Sequence, residues 1–275
     1  MAGNNTPNTI GRLPKMSLLA RRKIHVYLLL AGLVLTSPTK LFAQDSPIRV
    51  AVFKGAGVGP SANDLMAALK STEGQKLEVI RITVEEIRAG KLAGVHVLVH
   101  PGGSGGGQGR ALGEDGRKAV QDFVNRGGGF LGVCAGAYLA TNDYPWSLNL
   151  IDAKVVDKQH WARGTGKVKI QLSEKGSELL QEKGSELDIH YAQGPLLARR
   201  EVDDPKVPNY ESLATFSSEI AKKGAPSGVM QGTSAIVRSE YGTGRVLCFS
   251  PHPEMTAGLH HLIPLAISWL VPKKP

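Results

Sequence analysis

Cysteine is scarce in this sequence, which contains Cys134 and Cys248 and no other cysteine in 275 residues. Two cysteines allow at most one disulfide, so a scaffold held together by disulfides is excluded. A folded part of about 230 residues can bury enough apolar surface without such cross-links. Cys248 lies within the apolar segment 246–249, which favours a place in the core. Cys134 lies between glycines, which is an unusual setting for a core residue.

Acidic residues are absent from residues 1–43, which contain six Lys or Arg residues. Three of these basic residues, 21–23, precede the apolar run 26–35, and Ala43 follows shortly after. This order is typical of a secretory signal peptide. The run is shorter than the roughly 20 residues that a membrane-spanning helix needs. We therefore expect cleavage near Ala43, export to the periplasm or the extracellular space, and no stable membrane anchor afterwards.

A large net positive charge is also lacking once residues 1–43 are left out of the count. The formal net charge of the chain is +9, but residues 44–275 carry 27 Lys and Arg against 24 Asp and Glu, or +3. Aromatic residues make up 5% of the chain, and no basic stripe is interleaved with them. A nucleic-acid partner is therefore not expected.

Strand-like and helix-like segments alternate through the first half of the expected mature chain. The strands are predicted at 48–53, 77–82, 95–100 and 130–133, and the helices at 61–69, 84–89 and 114–125. This alternation is typical of an α/β fold with a doubly wound, mostly parallel sheet and helices on both faces. In such folds the site forms beyond the carboxyl ends of the strands.

Residues 144–226 are less regular, and we interpret them as an insertion that shapes a pocket within a single domain of residues 44–275. Strands are predicted there at 167–171, 187–191 and 212–216. The chain then continues with strands at 234–238 and 244–249 and a helix near 259–270.

Cys134 stands in the segment Gly132-Val133-Cys134-Ala135-Gly136, directly after a predicted strand. This pattern predicts a nucleophile elbow, a sharp strand-to-helix turn that small neighbours permit. The amides that begin the next helix favour a thiolate there. The Ala135 N–H and an N–H of Gly102 or Gly103 are candidates for an oxyanion hole. The alternative is a small buried residue in a tight turn.

His252 lies between two prolines after the last predicted strand, and Glu254 follows two residues later. A carboxylate at this spacing can orient the imidazole and stabilise its charged form. The alternative is a loop whose side chains face water. Because His252 and Cys134 both follow strands, they form a candidate Cys-His-Glu triad with Glu254.

No cofactor or metal is expected. The glycine-rich segment 102–107 lacks the lysine of a phosphate-binding loop and the spacing of a dinucleotide fingerprint. His100, His160 and His190 show no spacing typical of metal ligands.

The elbow and the later Pro251-His252-Pro253-Glu254 segment resemble the class I glutamine amidotransferase-like superfamily. Within it, segments 101–103, 128–138 and 191–195 are most similar to the biotin–protein ligase N-terminal-domain group. The resemblance covers about residues 48–271 and implies a flavodoxin-like three-layer sandwich. It implies catalytic roles for Cys134, His252 and Glu254. It also implies substrate-binding roles, which fall on Tyr138, His190, Tyr191 and Gly194.

One departure from that group lies in the last of these segments, where Ala192-Gln193 stands in place of an asparagine-glycine pair. A branch resembling intracellular peptidases is disfavoured, because Ala135 stands where that branch carries a histidine.

Two functions follow from these residues. The first is a cysteine-dependent amidohydrolase or acyl-transfer enzyme that acts on a small-molecule or peptide amide, with a separate acceptor protein as a further partner. The second is a binding module that keeps the pocket without turnover. The substrate itself depends on residues 144–226, where the sequence is least informative.

Overall fold

The protein is described by a computed structural model that covers residues 46–70, 76–202 and 204–271. The predicted signal peptide, residues 1–43, lies outside the described residues. Within them, no helix is both long and apolar enough to span a membrane.

The described residues form one mixed sheet of eleven strands. In chain order the strands are β1 Ile48–Phe53, β2 Leu77–Ile82, β3 Val97–His100, β4 Gly129–Val133, β5 Ala153–Val155, β6 Thr165–Leu172, β7 Glu186–Ala192, β8 Leu197–Arg199, β9 Glu211–Phe216, β10 Ser234–Tyr241 and β11 Gly244–Phe249.

The parallel half of the sheet has the order β2-β1-β3-β4-β11. It contains the four strands predicted first along the chain, together with β11. The last four residues of β1 are all buried and alternate between two cores. A strand covered on both faces reads as a continuous apolar run, which is why β1, β3 and β4 were visible in the sequence. The predicted α/β fold is confirmed.

The other half of the sheet is antiparallel and continues β11-β10-β9-β6-β7. Residues 144–226 supply β5 to β9, so this segment extends the main sheet. Two of its strands, β5 and β8, were not predicted. Each has three residues, and the two pair with each other, so their hydrogen bonds come from tertiary contact. A segment this short carries no readable period.

Six helices among the described residues cover the two faces of the sheet. They are α1 Ala62–Lys70, α2 Val84–Arg88, α3 Gly105–Asn125, α4 Ala135–Ala140, α5 Glu174–Leu180 and α6 Leu262–Leu270. Apolar residues of α1, α5 and α6 pack in one core, and those of α2, α3 and α4 pack in the other. This is the predicted three-layer arrangement.

Helix α3 differs from the prediction, which placed its start near residue 114. The helix begins at Gly105 and contains a break at Gly113, where φ is 63°. Ser104 caps its first turn by accepting a hydrogen bond from the Gly107 N–H at 3.0 Å. Glycines have low helix propensity, so the pattern of residues 105–113 indicated a loop. Tertiary packing stabilises the helix, since Leu112 is fully buried.

His100, the last residue of β3, makes stability depend on pH. It is completely buried, stacks on Phe53 at a centroid distance of 4.6 Å, and pairs its Nδ1 with Gln108 Oε1 at 2.8 Å. Burial lowers the pKa of His100 to about 4. Between that value and the ordinary histidine pKa, the unfolded chain binds a proton that the folded chain does not. Stability is therefore lost as the pH falls through this range.

We expect the protonation of His100 in the unfolded chain to lower the free energy of unfolding by about 2 kcal/mol when the pH falls from 7 to 5. Urea denaturation at both pH values measures the change. His100→Asn serves as the control, because its amide can still reach Gln108 but does not titrate. An equal loss in the wild type and in this variant would contradict the role of His100.

Candidate active site

Cys134 occupies a strained turn between β4 and α4. Its backbone has φ 51° and ψ −97°, which is costly for a residue with a side chain. The flanking glycines permit this turn by close approach. A Cβ on Gly132 would lie 2.5 Å from the Gly136 carbonyl oxygen, and one on Gly136 would lie 2.1 Å from the His100 carbonyl oxygen. The turn therefore has the geometry of a nucleophile elbow.

His252 and Glu254 form a buried pair in the loop after β11. His252 Nδ1 lies 2.7 Å from Glu254 Oε1, and the two residues are 3% and 2% exposed. The His252 N–H donates to the His190 carbonyl oxygen at 2.8 Å, which holds the loop in place. A carboxylate on Nδ1 directs Nε2 away from it, as in a catalytic triad.

His252 Nε2 is shielded from solvent and has no hydrogen bond of normal geometry among the described residues. Burial opposes the charged imidazole, but Cys134 and the Glu254 carboxylate outweigh burial and raise the pKa of His252 above its ordinary value. The Cys134 thiol donates instead to the Ala192 carbonyl oxygen, at 3.5 Å. The imidazole is thus positioned to hold a proton beside the sulfur.

Three strand ends meet at this place, as the sequence indicated. Strands β4 and β11 are parallel neighbours, with Val133 aligned on Phe249. Gly102, after β3, lies against both loops. A Cβ on it would lie 2.9 Å from His252 Cε1 and 3.7 Å from Cys134 Cβ. A side chain at this position would therefore displace the His252 ring from its place beside Cys134.

Two backbone amides near Cys134 were predicted to form an oxyanion hole. The N–H groups of Gly103 and Ala135 donate to no acceptor within the described ranges. Gly103 has φ 136°, and a Cβ on it would lie 2.2 Å from the Gly57 carbonyl oxygen. Unpaired amides at such a site are suited to an oxyanion hole.

The four residues predicted to bind substrate lie in different settings. Tyr138 lines a pocket beside Cys134, and its hydroxyl donates to the Gln193 carbonyl oxygen at 3.2 Å. His190 is half-buried, with its ring centroid 6.1 Å from that of His252. Burial and the neighbouring His252 lower the pKa of His190. Tyr138 and His190 are thus placed near the reacting groups.

Tyr191 and Gly194 lie behind the site. Tyr191 is fully buried, and its hydroxyl donates to the Gly194 carbonyl oxygen at 2.8 Å. Gly194 packs flat against Ser250, two residues before His252. Neither residue lines the pocket beside Cys134. From this position Tyr191 and Gly194 support the loop that carries His252.

Gly194→Ala should displace that loop, because a Cβ there would lie 1.9 Å from the Ser250 carbonyl oxygen. We expect a loss of about 2 kcal/mol in unfolding free energy and at least a tenfold loss of any Cys134-dependent activity. Gly184→Ala is the matched control, since the nearest atom to its Cβ would be 3.8 Å away. Chemical denaturation and activity assays compare the two variants. Equal stability of both would show that the loop yields without cost.

Several residues at the site were not singled out from the sequence. The pocket wall includes Tyr144, Trp146, Lys158 and Trp161, all from the irregular segment 144–226. Two of the three tryptophans of this chain, Trp146 and Trp161, lie only 15 positions apart there. In a chain poor in aromatics, that concentration was the available signal.

An ion pair with a buried arginine holds part of this wall. Arg163 is 1% exposed, and its Nη2 lies 2.5 Å from Asp157 Oδ2. His160 Nδ1 lies 2.6 Å from the other oxygen of the same carboxylate. These contacts join the two ends of the segment that carries Lys158 and Trp161, so this side of the pocket is preorganised.

The histidines considered as metal ligands do not converge. Among the described residues, no group of three or more His, Cys, Asp or Glu side chains is arranged to bind a metal ion. Cys134 and Cys248 are both buried and unpaired with each other. Cys248 is completely buried in β11, where burial raises the pKa of its thiol to about 12.

The sequence of residues 48–162 matches the family profile described as biotin-protein ligase, N terminal. The matched segment includes the Cys134 elbow and ends before His252 and Glu254. Comparison with curated protein sequences found no significant match.

Solved structures show the same fold at low sequence identity. A cytoplasmic protein from Salmonella typhimurium has a TM-score of 0.51 and 11% identity, over 82% of this chain and 99% of that one. A protein from Bacteroides uniformis described as ThuA-like has a TM-score of 0.56 and 12% identity, over 83% and 94%. A β-galactosidase from Rahnella sp. R3 has a TM-score of 0.51 and 13% identity, over 83% of this chain and 32% of that one. Identities this low show the fold alone.

The fold and these matches confirm the resemblance to the class I glutamine amidotransferase-like superfamily. Within that superfamily, the matched segment confirms the similarity to the biotin–protein ligase N-terminal-domain group.

Proposed function

We propose that this protein is an exported, cysteine-dependent amidohydrolase or acyl-transfer enzyme with Cys134, His252 and Glu254 as its catalytic triad. The observation that carries the proposal is the buried pair of His252 Nδ1 and Glu254 Oε1 at 2.7 Å. The Nε2 of this histidine has no hydrogen-bond partner among the described residues and lies beside the strained cysteine elbow. Burial of a His-Glu pair costs desolvation energy, and backbone strain like that at Cys134 clusters at active sites.

In the first step His252 Nε2 accepts the Cys134 proton, and the sulfur attacks the amide carbonyl carbon. The N–H groups of Gly103 and Ala135 stabilise the tetrahedral oxyanion. His252 then donates its proton to the departing nitrogen as the C–N bond breaks, which leaves a thioester on Cys134. Water, or the nucleophile of an acceptor protein, attacks the thioester with His252 as base. The net hydrolytic reaction converts an amide and water into a carboxylic acid and an amine.

Release of ammonia from primary carboxamides tests this proposal. The wild type and Cys134→Ala are incubated with a panel of amides that includes glutamine, and any thioester is sought by intact mass. We expect release by the wild type and none above background by the variant. Equal release by both proteins would remove Cys134 as the nucleophile.

A binding module without turnover is the second candidate. The contact that favours it is the Cys134 thiol, which donates to the Ala192 carbonyl oxygen and not to His252. A ligand that raises Tm equally in the wild type and in Cys134→Ala, with no product formed, would support this candidate.

A further inference from the structure

The pocket beside Cys134 has a volume of about 290 Å³ and aromatic walls. The rings of Tyr144 and Trp146 stack with centroids 4.4 Å apart, and Tyr138 stands 6.3 Å from Tyr144. Trp161 borders the pocket and is 56% exposed, which is unusual for so large an apolar side chain. An exposed aromatic at the mouth of a pocket is suited to cover a ligand.

The charge of the pocket excludes a good fit for a free amino acid. Lys158 is the one charged residue among the described residues that line it. The Lys158 ammonium lies 2.8 Å from Asp143 Oδ1 and 4.7 Å from the centroid of the Tyr144 ring. Among the described lining residues there is no carboxylate to pair with the α-ammonium of glutamine. A desolvated ammonium without a partner is costly, whereas an aromatic ring is well accommodated.

The arrangement of the catalytic groups decides which part of an amide enters the pocket. The leaving nitrogen must lie near His252 Nε2 to be protonated, and His252 does not line the pocket. Cys134 and Gly103 do line it, on the side where the carbonyl would bind. The acyl part of the substrate therefore points between the aromatic walls, and the nitrogen points towards His252.

We propose that the substrate is a small carboxamide whose acyl group ends in a flat aromatic ring, and that Trp161 is a specificity-determining residue that covers the ring. This inference rests on the proposed function, since it assigns the substrate class of the same site. The volume suits a small molecule, because it lies at the lower limit of roughly 300 Å³ for typical ligand pockets. The chemistry is unchanged: the C–N bond is hydrolysed to an arylalkyl carboxylic acid and ammonia.

Binding to the full-length Cys134→Ala protein tests the inference without requiring turnover. Dissociation constants are measured by calorimetry for 3-phenylpropionamide, its saturated analogue 3-cyclohexylpropionamide, and L-glutamine. We expect 3-phenylpropionamide to bind at least tenfold more tightly than either of the others. Tighter binding of glutamine, or equal binding of the cyclohexyl compound, would overturn the inference.

Variants of Trp161 test whether this side chain contacts the aromatic ring of the ligand. In the same background, Trp161→Ala should weaken binding of 3-phenylpropionamide at least tenfold, while Trp161→Phe should retain affinity within about threefold. Trp269→Phe is the matched control, since Trp269 lies on α6 beneath Arg238 and Arg245 and away from the pocket. Unchanged affinity in Trp161→Ala would overturn the role of Trp161.

The failure of this inference is distinguishable from failure of the proposed function. Tight binding of 3-phenylpropionamide to Cys134→Ala without hydrolysis by the wild type would overturn the catalytic proposal and support the ligand class. Hydrolysis of glutamine with no binding of the aromatic amide would overturn the ligand class and support catalysis.

Discussion

His252→Ala should reduce kcat/KM for an amide substrate by about 10⁴-fold, and combining it with Cys134→Ala should add almost nothing. The reason is that the nucleophile and its base act as one unit. Without the imidazole, the thiol proton has no acceptor and the leaving nitrogen has no donor. Without the sulfur, the imidazole has nothing to activate.

Steady-state kinetics on the two single variants and the double variant measure this effect. His261→Ala is a matched control, because His261 also pairs with a carboxylate, Glu182 at 2.9 Å, but lies on the surface outside the site. It should keep wild-type kcat/KM. Losses that multiply in the double variant would mean that the two residues act independently, which would contradict a triad.

Alkylation of Cys134 by iodoacetamide at pH 6 should be about 100-fold faster in the wild type than in His252→Ala. Because the pKa of His252 is raised, the imidazole is charged at this pH, and we expect a cation beside the sulfur to speed its reaction with the alkylating agent. Glu254→Gln should give an intermediate rate, since the amide still orients the ring but does not stabilise its charge.

Peptide mass spectrometry reads the two cysteines separately. Cys248 is the internal comparison, because it is completely buried and its pKa is raised to about 12. It should react slowly in all variants. A Cys134 that reacts at the same rate with and without His252 would contradict an activated pair and favour the binding module.

Local pattern predicted most of the parallel half of the sheet because β3, β4 and the last four residues of β1 are buried on both faces. The cysteine elbow could also be predicted from local sequence. Gly132 and Gly136 leave space where a Cβ would collide with backbone, so the residue types reveal the close approach. The order of strands also indicated that Cys134 and His252 lie close together, since parallel strands bring their carboxyl ends to one edge of the sheet. The catalytic roles of Cys134, His252 and Glu254 remain predictions.

The pocket wall was not predictable in the same way. Lys158 and Trp161 belong to a segment without period, and it is held by the contact between Asp157 and Arg163. The start of α3 was missed because Gly105, Gly106 and Gly107 have low intrinsic helix propensity. Short strands β5 and β8 form only because the sheet is already present to pair with.

The sequence by itself determined the α/β architecture, the cysteine elbow and the spacing of His252 and Glu254. These features depend on residues close together in the chain, or on burial patterns that repeat along one strand. Tertiary structure alone decided that Gly102 packs against both His252 and Cys134, that Tyr191 supports the site from behind, and that aromatic side chains line a pocket. These contacts are made between residues far apart in the chain. Packing between two elements does not produce a repeating pattern of residue types within either element, so it cannot be predicted from local sequence.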